Sequence, residues 1–77
     1  MQLDIITADK VLFTGEVESV TLPGSDGKFQ VLKDHAPIIS SLDKGNIIIT
    51  GKECGRQEFV IYGGIVEVLA NKIVVLA

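Results

Sequence analysis

No stretch of this chain sustains apolar residues every 3.6 positions, so little or no helix is expected. Val, Ile, Leu and Phe come instead in short runs, punctuated by Gly, Asp, Asn and Lys, which is the pattern of strands and tight turns. Gln2–Thr7 reads as a first strand with Leu3 and Ile5 on one face, followed by a turn at Ala8–Lys10. Val11–Leu22 reads as one long strand whose pattern changes midway. Val11, Phe13 and Val17 share one parity and Val20 and Leu22 the other, with Gly15 and Glu16–Ser19 at the change. An extra residue flips which side chains face the core, so a bulge or corner fits there. Such a strand passes from one sheet of a sandwich to the other. Pro23-Gly24 is expected to end it.

The next segment, Gly24–Leu42, organises the rest. It holds a tight turn (Gly24–Gly27), a strand (Lys28–Leu32) with Phe29 and Val31 inward, and a polar loop opening at Lys33-Asp34. That loop carries the only histidine, His35, framed by Asp34, Ala36 and Pro37. Pro37 favours an extended Ala36, and Ile38 and Ile39 are expected to return to the core. A turn at Asp43–Asn46 leads to a strand at Ile47–Ile49. A hairpin loop at Gly51–Gly55 leads to Gln57–Tyr62, with Phe59 and Ile61 on one face. Gly63-Gly64 suits a bulge or a close backbone approach. Ile65–Leu69 and Lys72–Leu76 form a last hairpin through Ala70-Asn71. Roughly eight short strands with Gly-rich turns make one all-β domain, residues 1–77, an antiparallel sandwich or barrel.

A sandwich strand normally alternates apolar-in and polar-out. Ile47–Ile49, Phe59–Tyr62 and Ile73–Leu76 are apolar on both faces, and no helix is expected to cover the outer one. Either another protein buries that surface, or the strands pack where a small barrel closes.

Composition narrows the function classes. The formal net charge is −3 with no basic run, which disfavours nucleic acid and anionic lipid. No apolar run approaches the ~18–20 residues of a membrane span, and Met1-Gln2-Leu3-Asp4 lacks the basic region of a signal peptide. Cys54 is the only cysteine, so no internal disulfide forms, and one Cys with one His makes no zinc site. A domain this small is expected to draw stability from a partner, because one core alone supplies only about 3–5 kcal/mol.

Few residues suggest chemistry. His35 lies beside Asp34, with Ser40 and Ser41 following, but neighbours on one loop rarely converge as a triad and no G-x-S-x-G turn accompanies them. Gly24-Ser25-Asp26-Gly27 leads into a strand rather than the helix that a phosphate cradle requires. Neither a catalytic group nor a cofactor site is read here.

Three segments taken together carry a family resemblance: L-D-I-I-T-A-D-K-V-L-F-T-G-E-V-E-S-V-T-L-P-G-S-D-G, then H-A-P-I-I-S-S-L-D-K-G, then E-F-V-I-Y-G-G-I-V-E-V-L-A-N-K-I-V-V-L-A. In order and spacing they resemble the N-terminal domain of the epsilon subunits of F-type ATP synthases, over essentially the whole chain. The resemblance implies a flattened antiparallel β-sandwich of roughly eight to ten short strands. It implies a non-catalytic rotor subunit that binds the gamma shaft and rests on the c-ring, coupling ion flow to ATP synthesis. It also implies a peripheral position on the cytoplasmic side of a bacterial inner membrane, reached only through the complex. Lys28 falls where the family meets the ring; Thr7, His35 and Ser40 match positions at or near the shaft contact.

The family favours an acid at the place of Lys28, Gly at Gln30, and Pro-Gly at Lys33-Asp34, so a compensating charge is expected on the ring loops. Most relatives continue into two C-terminal helices that restrain ATP hydrolysis. If 77 residues is the natural length, that activity is expected to be missing. The rival reading is a free-standing ligand-binding sandwich such as a carbohydrate module. With no Trp, one Tyr and three Phe, the chain is poor in the aromatic platforms of that class.

Overall fold

The computed structural model describes residues 1–77. It holds nine strands and no helix: β1 (Gln2–Ile6), β2 (Val11–Glu16), β3 (Ser19–Gly24), β4 (Gly27–Leu32), β5 (Ile38–Leu42), β6 (Gly45–Gly51), β7 (Gly55–Ile61), β8 (Gly64–Leu69) and β9 (Lys72–Leu76). They join in the order β2-β1-β9-β8-β5-β3-β6-β7, with β4 on the free side of β3. The only pairing between β5 and β3 is Gly24 with Leu42. The sheet folds over at that point into two layers, β2-β1-β9-β8-β5 and β4-β3-β6-β7.

The block measures 27 × 26 × 18 Å, flattened as two stacked sheets about 10 Å apart require. Every pairing is antiparallel except one. The first and last strands, β1 and β9, run parallel, because no hairpin joins them and both run from the same end of the molecule.

Alternation within each strand builds the core. Leu3, Ile5, Ile73, Val75, Val66 and Val68 point inward from the first layer; Val20, Leu22, Val31, Ile47, Ile49 and Ile61 meet them from the second. No polar or charged side chain is buried.

The segment from Val11 to Leu22 is two strands, not one. Its corner at Val17-Glu18 carries the chain from one layer to the other, with Val17 buried as the pivot. The parity also differs from expectation. Ile5 pairs with Phe13 but Ile6 with Val11, so Leu12 is a bulge residue. Val11 therefore faces solvent while Phe13 turns inward to meet Phe59, ring centroids 5.9 Å apart. Pro23 and Gly24 continue β3 rather than ending it. Pro23 sits where β3 changes neighbour from β6 to β5, so no ladder donor is missed, and its carbonyl still accepts from the Asp43 amide at 2.8 Å.

Ile39 does not return to the core. Ile38 points in, the period of two sends Ile39 out, and it is 69% exposed. Most turns behave as read, but the turn expected at Asp43–Asn46 is shorter: Gly45 and Asn46 already pair with Ile61 and Val60 as the start of β6. Ser25-Asp26 closes the β3–β4 hairpin. Ala70 and Asn71 take positive φ (50° and 61°), as a two-residue β8–β9 hairpin of type I′ demands. Gly63 and Gly64 have φ of 145° and 146°, and a Cβ on Gly64 would collide with the Leu76 carbonyl oxygen.

Candidate functional site

The turns gather at two ends of the block. One end carries Thr7–Lys10, Ser25-Asp26, Asp43-Lys44 and Tyr62-Gly63; the other carries Lys33–Pro37, Lys52–Cys54 and Ala70-Asn71. Thr7 and Lys28 lie at the first end, in different layers; His35 lies at the second. Ser40 sits midway along β5, half-buried, opposite Val66.

Each of these side chains has local work. Thr7 Oγ1 donates to the Lys10 carbonyl (3.1 Å) and accepts from the amides of Asp9 and Lys10, which closes the β1–β2 turn. His35 Nδ1 lies 2.7 Å from the Ala36 carbonyl. Ser40 Oγ donates to the Ser41 carbonyl at 3.2 Å. His35, Asp34 and Ser40 therefore do not converge as a triad.

The histidine loop is held by a residue far away in sequence. The amide of His35 donates to the Leu32 carbonyl (3.2 Å), which makes Lys33-Asp34 the centre of a β-turn with Asp34 at φ 65°. That is the third position of a type II turn, where Gly is at ease and other residues are strained. Asn71 offsets the strain. Its Oδ1 accepts from the Asp34 amide at 2.9 Å, and its Nδ2 donates to Asp34 Oδ1 at 3.3 Å. Sequence reasoning took Asp34 as part of the loop frame and Asn71 only as a turn residue. Their contact spans 37 positions, with no local signal to reveal it.

The outer face of the first layer is the more apolar of the two. On the second layer, Lys28, Gln30, Ser19, Thr21, Thr50, Arg56 and Glu58 face outward, with Ile48 half-buried among them and Leu32 and Val60 as exposed apolar residues on its two outermost strands. On the first layer an apolar row crosses four strands: Val11 pairs with Ile6, Ile6 with Leu76, Leu76 with Ile65. The row below it runs Thr14, Asp4, Val74, Glu67, Ile39. Leu69 extends the apolar area toward the histidine end.

Val11, Ile39, Ile65, Leu69 and Leu76 are all exposed, so most of the large exposed apolar side chains belong to this one face. The sequence showed apolar residues on both faces of single strands. It did not show that those of the first layer line up, because the row draws one residue from each of four strands.

A polar corner borders the apolar row. Asp4 Oδ1 accepts from Thr14 Oγ1 (2.6 Å) and Gln2 Nε2 (3.0 Å), and Lys72 Nζ lies 3.8 Å from Asp4 Oδ2. The hydrogen bond from Thr14, then that from Gln2, and more weakly the charge of Lys72, hold the Asp4 carboxyl below its ordinary value.

Between the free edges of β2 and β7, a groove of about 500 Å³ opens at the Thr7 end. Leu12, Val60 and Tyr62 line it, and Lys44 Nζ stands 5.5 Å from the Tyr62 ring centroid.

Comparison with known proteins agrees with this architecture. The family described as "ATP synthase, Delta/Epsilon chain, beta-sandwich domain" matches residues 1–77. An ATP synthase epsilon chain of Chlorobium limicola is 43% identical over 75 residues, covering 97% of this chain and 85% of the relative. One from Campylobacter jejuni is 44% identical over 77 residues, and this chain spans 60% of its length. Among solved structures, a chain in the Euglena gracilis mitochondrial ATP synthase (OSCP/F1/c-ring) superposes with a TM-score of 0.89 at 21% identity. It covers 97% of this chain and 48% of that one, a likeness of fold.

Proposed function

The chain belongs to the β-sandwich family of ATP synthase delta/epsilon chains, and on that premise we propose that it is a non-catalytic rotor subunit, docked on the gamma shaft and resting on the c-ring. It makes no bond and moves no proton; it transmits force, so that ion flow through the ring drives ATP synthesis on other subunits. Its place is peripheral, on the cytoplasmic side of the inner membrane, held there by the complex.

One observation carries the reading: the apolar outer face of the first layer. A soluble domain seldom leaves so continuous a patch open unless a partner covers it. A shaft laid along this face would reach both ends of the block, which are marked by Thr7 and His35; Ser40, on β5 between them, shares the inward side of Ile38 and is reached only at the strand's backbone. Lys28 projects from the other layer at the Thr7 end, free for a second partner such as a ring loop. Stiffness serves the same role. Short turns, a close-packed core and one continuous ladder resist shear between the two contacts.

The test is binding to the cognate gamma subunit. Wild-type chain should co-purify with gamma, and its melting temperature should rise in the complex. Leu76→Lys, placing a charge in the apolar row at an exposed position, should weaken binding about 100-fold while the isolated domain keeps its β-type circular dichroism. Equal affinity of this variant would refute the assignment of the face.

The rival ligand-binding reading has one observation in its favour: Tyr62 is 80% exposed at the mouth of the β2/β7 groove. Oligosaccharide binding without gamma binding would favour it.

A further inference from the structure

Glu67 stands in the apolar field of the first layer, and the one cation near it on that face, Lys72 diagonally across β9, is turned to Asp4. Its cross-strand neighbours are Val74 and Ile39, and its same-face neighbours along β8 are Ile65 and Leu69. No cation on this chain pairs with it: the ion pairs are Met1–Glu16, Arg56–Glu58 and Lys72–Asp4. Two shallow hollows flank it, about 390 Å³ on the Pro37 and Leu69 side and about 220 Å³ on the Ile65 and Leu76 side. Glu67 and Ile39 line both.

Resting on the reading that this face docks on the shaft, we propose that Glu67 is its specificity-determining residue, and that the docked surface of gamma presents an arginine between two apolar side chains. A carboxylate covered by a partner and left unpaired would oppose the contacts around it. The partner must therefore bring a donor to this point. Arginine fits better than lysine. Its planar fork binds a carboxylate through two parallel hydrogen bonds, and its stem lies against apolar walls such as Val74 and Ile39. The hollows on either side take the flanking apolar side chains. Glu67 thus sets register on an otherwise slippery surface, where apolar contact alone is non-directional.

The experiment is calorimetric titration of the cognate gamma subunit into wild-type chain and into Glu67→Gln, Glu67→Lys and Glu67→Leu. Glu67 is exposed in the free domain, so all three should fold, with circular dichroism as the check. Glu67→Lys should lose at least 100-fold in affinity and Glu67→Gln about 10-fold. Glu67→Leu should also bind more weakly than wild type, since it adds apolar area but strands the partner's cation. A loss below tenfold for Glu67→Lys, or equal or tighter binding by Glu67→Leu, overturns the proposal while leaving the docking face standing. Absence of wild-type binding overturns the docking reading and this one with it.

Discussion

Replacing Gly64 by alanine should remove a large share of the domain's stability, and the size of the effect follows from two separable terms. The first is conformational. Gly64 has φ of 146°, a region that L side chains adopt only under strain, at about 1–3 kcal/mol. The second is steric. The added Cβ would overlap the Leu76 carbonyl oxygen and lie 3.0 Å from Ala77 Cα, both backbone atoms that cannot rotate away. Relief requires β8 to shift from β9 where Ile65 pairs with Leu76; losing one or two ladder bonds costs about 1–3 kcal/mol.

The sum, about 2–6 kcal/mol, is a large share of the roughly 4–12 kcal/mol that a domain of this length has in total. Gly27→Ala provides the control. Gly27 also has positive φ (127°), but nothing lies within 4 Å of its added Cβ, so it should lose only the conformational term. Urea denaturation of both variants measures the difference directly. If Gly64→Ala is destabilised by no more than Gly27→Ala, the close approach of β8 to the end of β9 is not a tight backbone contact and the reasoning fails.

Three further expectations concern the Asn71–Asp34 contact, stability in acid and the proposed ring partner. Asn71→Ala removes both hydrogen bonds to Asp34 and puts a second alanine at positive φ in the turn; it should cost about 1–2 kcal/mol in urea denaturation and speed amide exchange in Lys33–Pro37. Asp4, whose carboxyl is held below its ordinary 3.8 by Thr14, Gln2 and Lys72, contributes stability that is present above the unfolded value and lost as pH falls through the folded one. Thermal melts from about pH 7 down to about pH 2 should show a steeper acid decline for wild type than for Asp4→Asn. Lys28→Glu in the assembled enzyme should change the affinity for the ring at low salt and less so at high salt; an unchanged affinity at low salt would count against an acidic ring partner.

What could be read in advance was what short-range patterning controls. Leu3 with Ile5, Phe29 with Val31 and Ile73 with Val75 share faces because successive strand residues alternate, and Ala70-Asn71 could be placed because a two-residue hairpin leaves no other choice. The misreadings have one origin. Strict alternation gives Val11 the parity of Phe13, because a bulge at Leu12 leaves no mark in composition. Ile38 and Ile39 look alike in sequence, although only one of two adjacent strand residues can face the core. Pro23 looked like a strand end because its safety depends on which neighbour lies opposite.

The site residues are the harder case. Lys28, Thr7, His35 and Ser40 came from resemblance. The apolar row and the isolation of Glu67 exist only once four strands are in register, so no window along the chain contains them.

The parallel pairing of β1 with β9 orders events at the ribosome. The earliest strand to emerge has its flank in the first layer empty until the final one is made, so β1 and β2 can only wait as a lone hairpin while the other six strands are synthesised. Such a nascent chain commits late and all at once. Until Ile73 and Val75 slide in beside Leu3 and Ile5, the unfinished layer is an open edge whose free backbone groups can pair with any other strand.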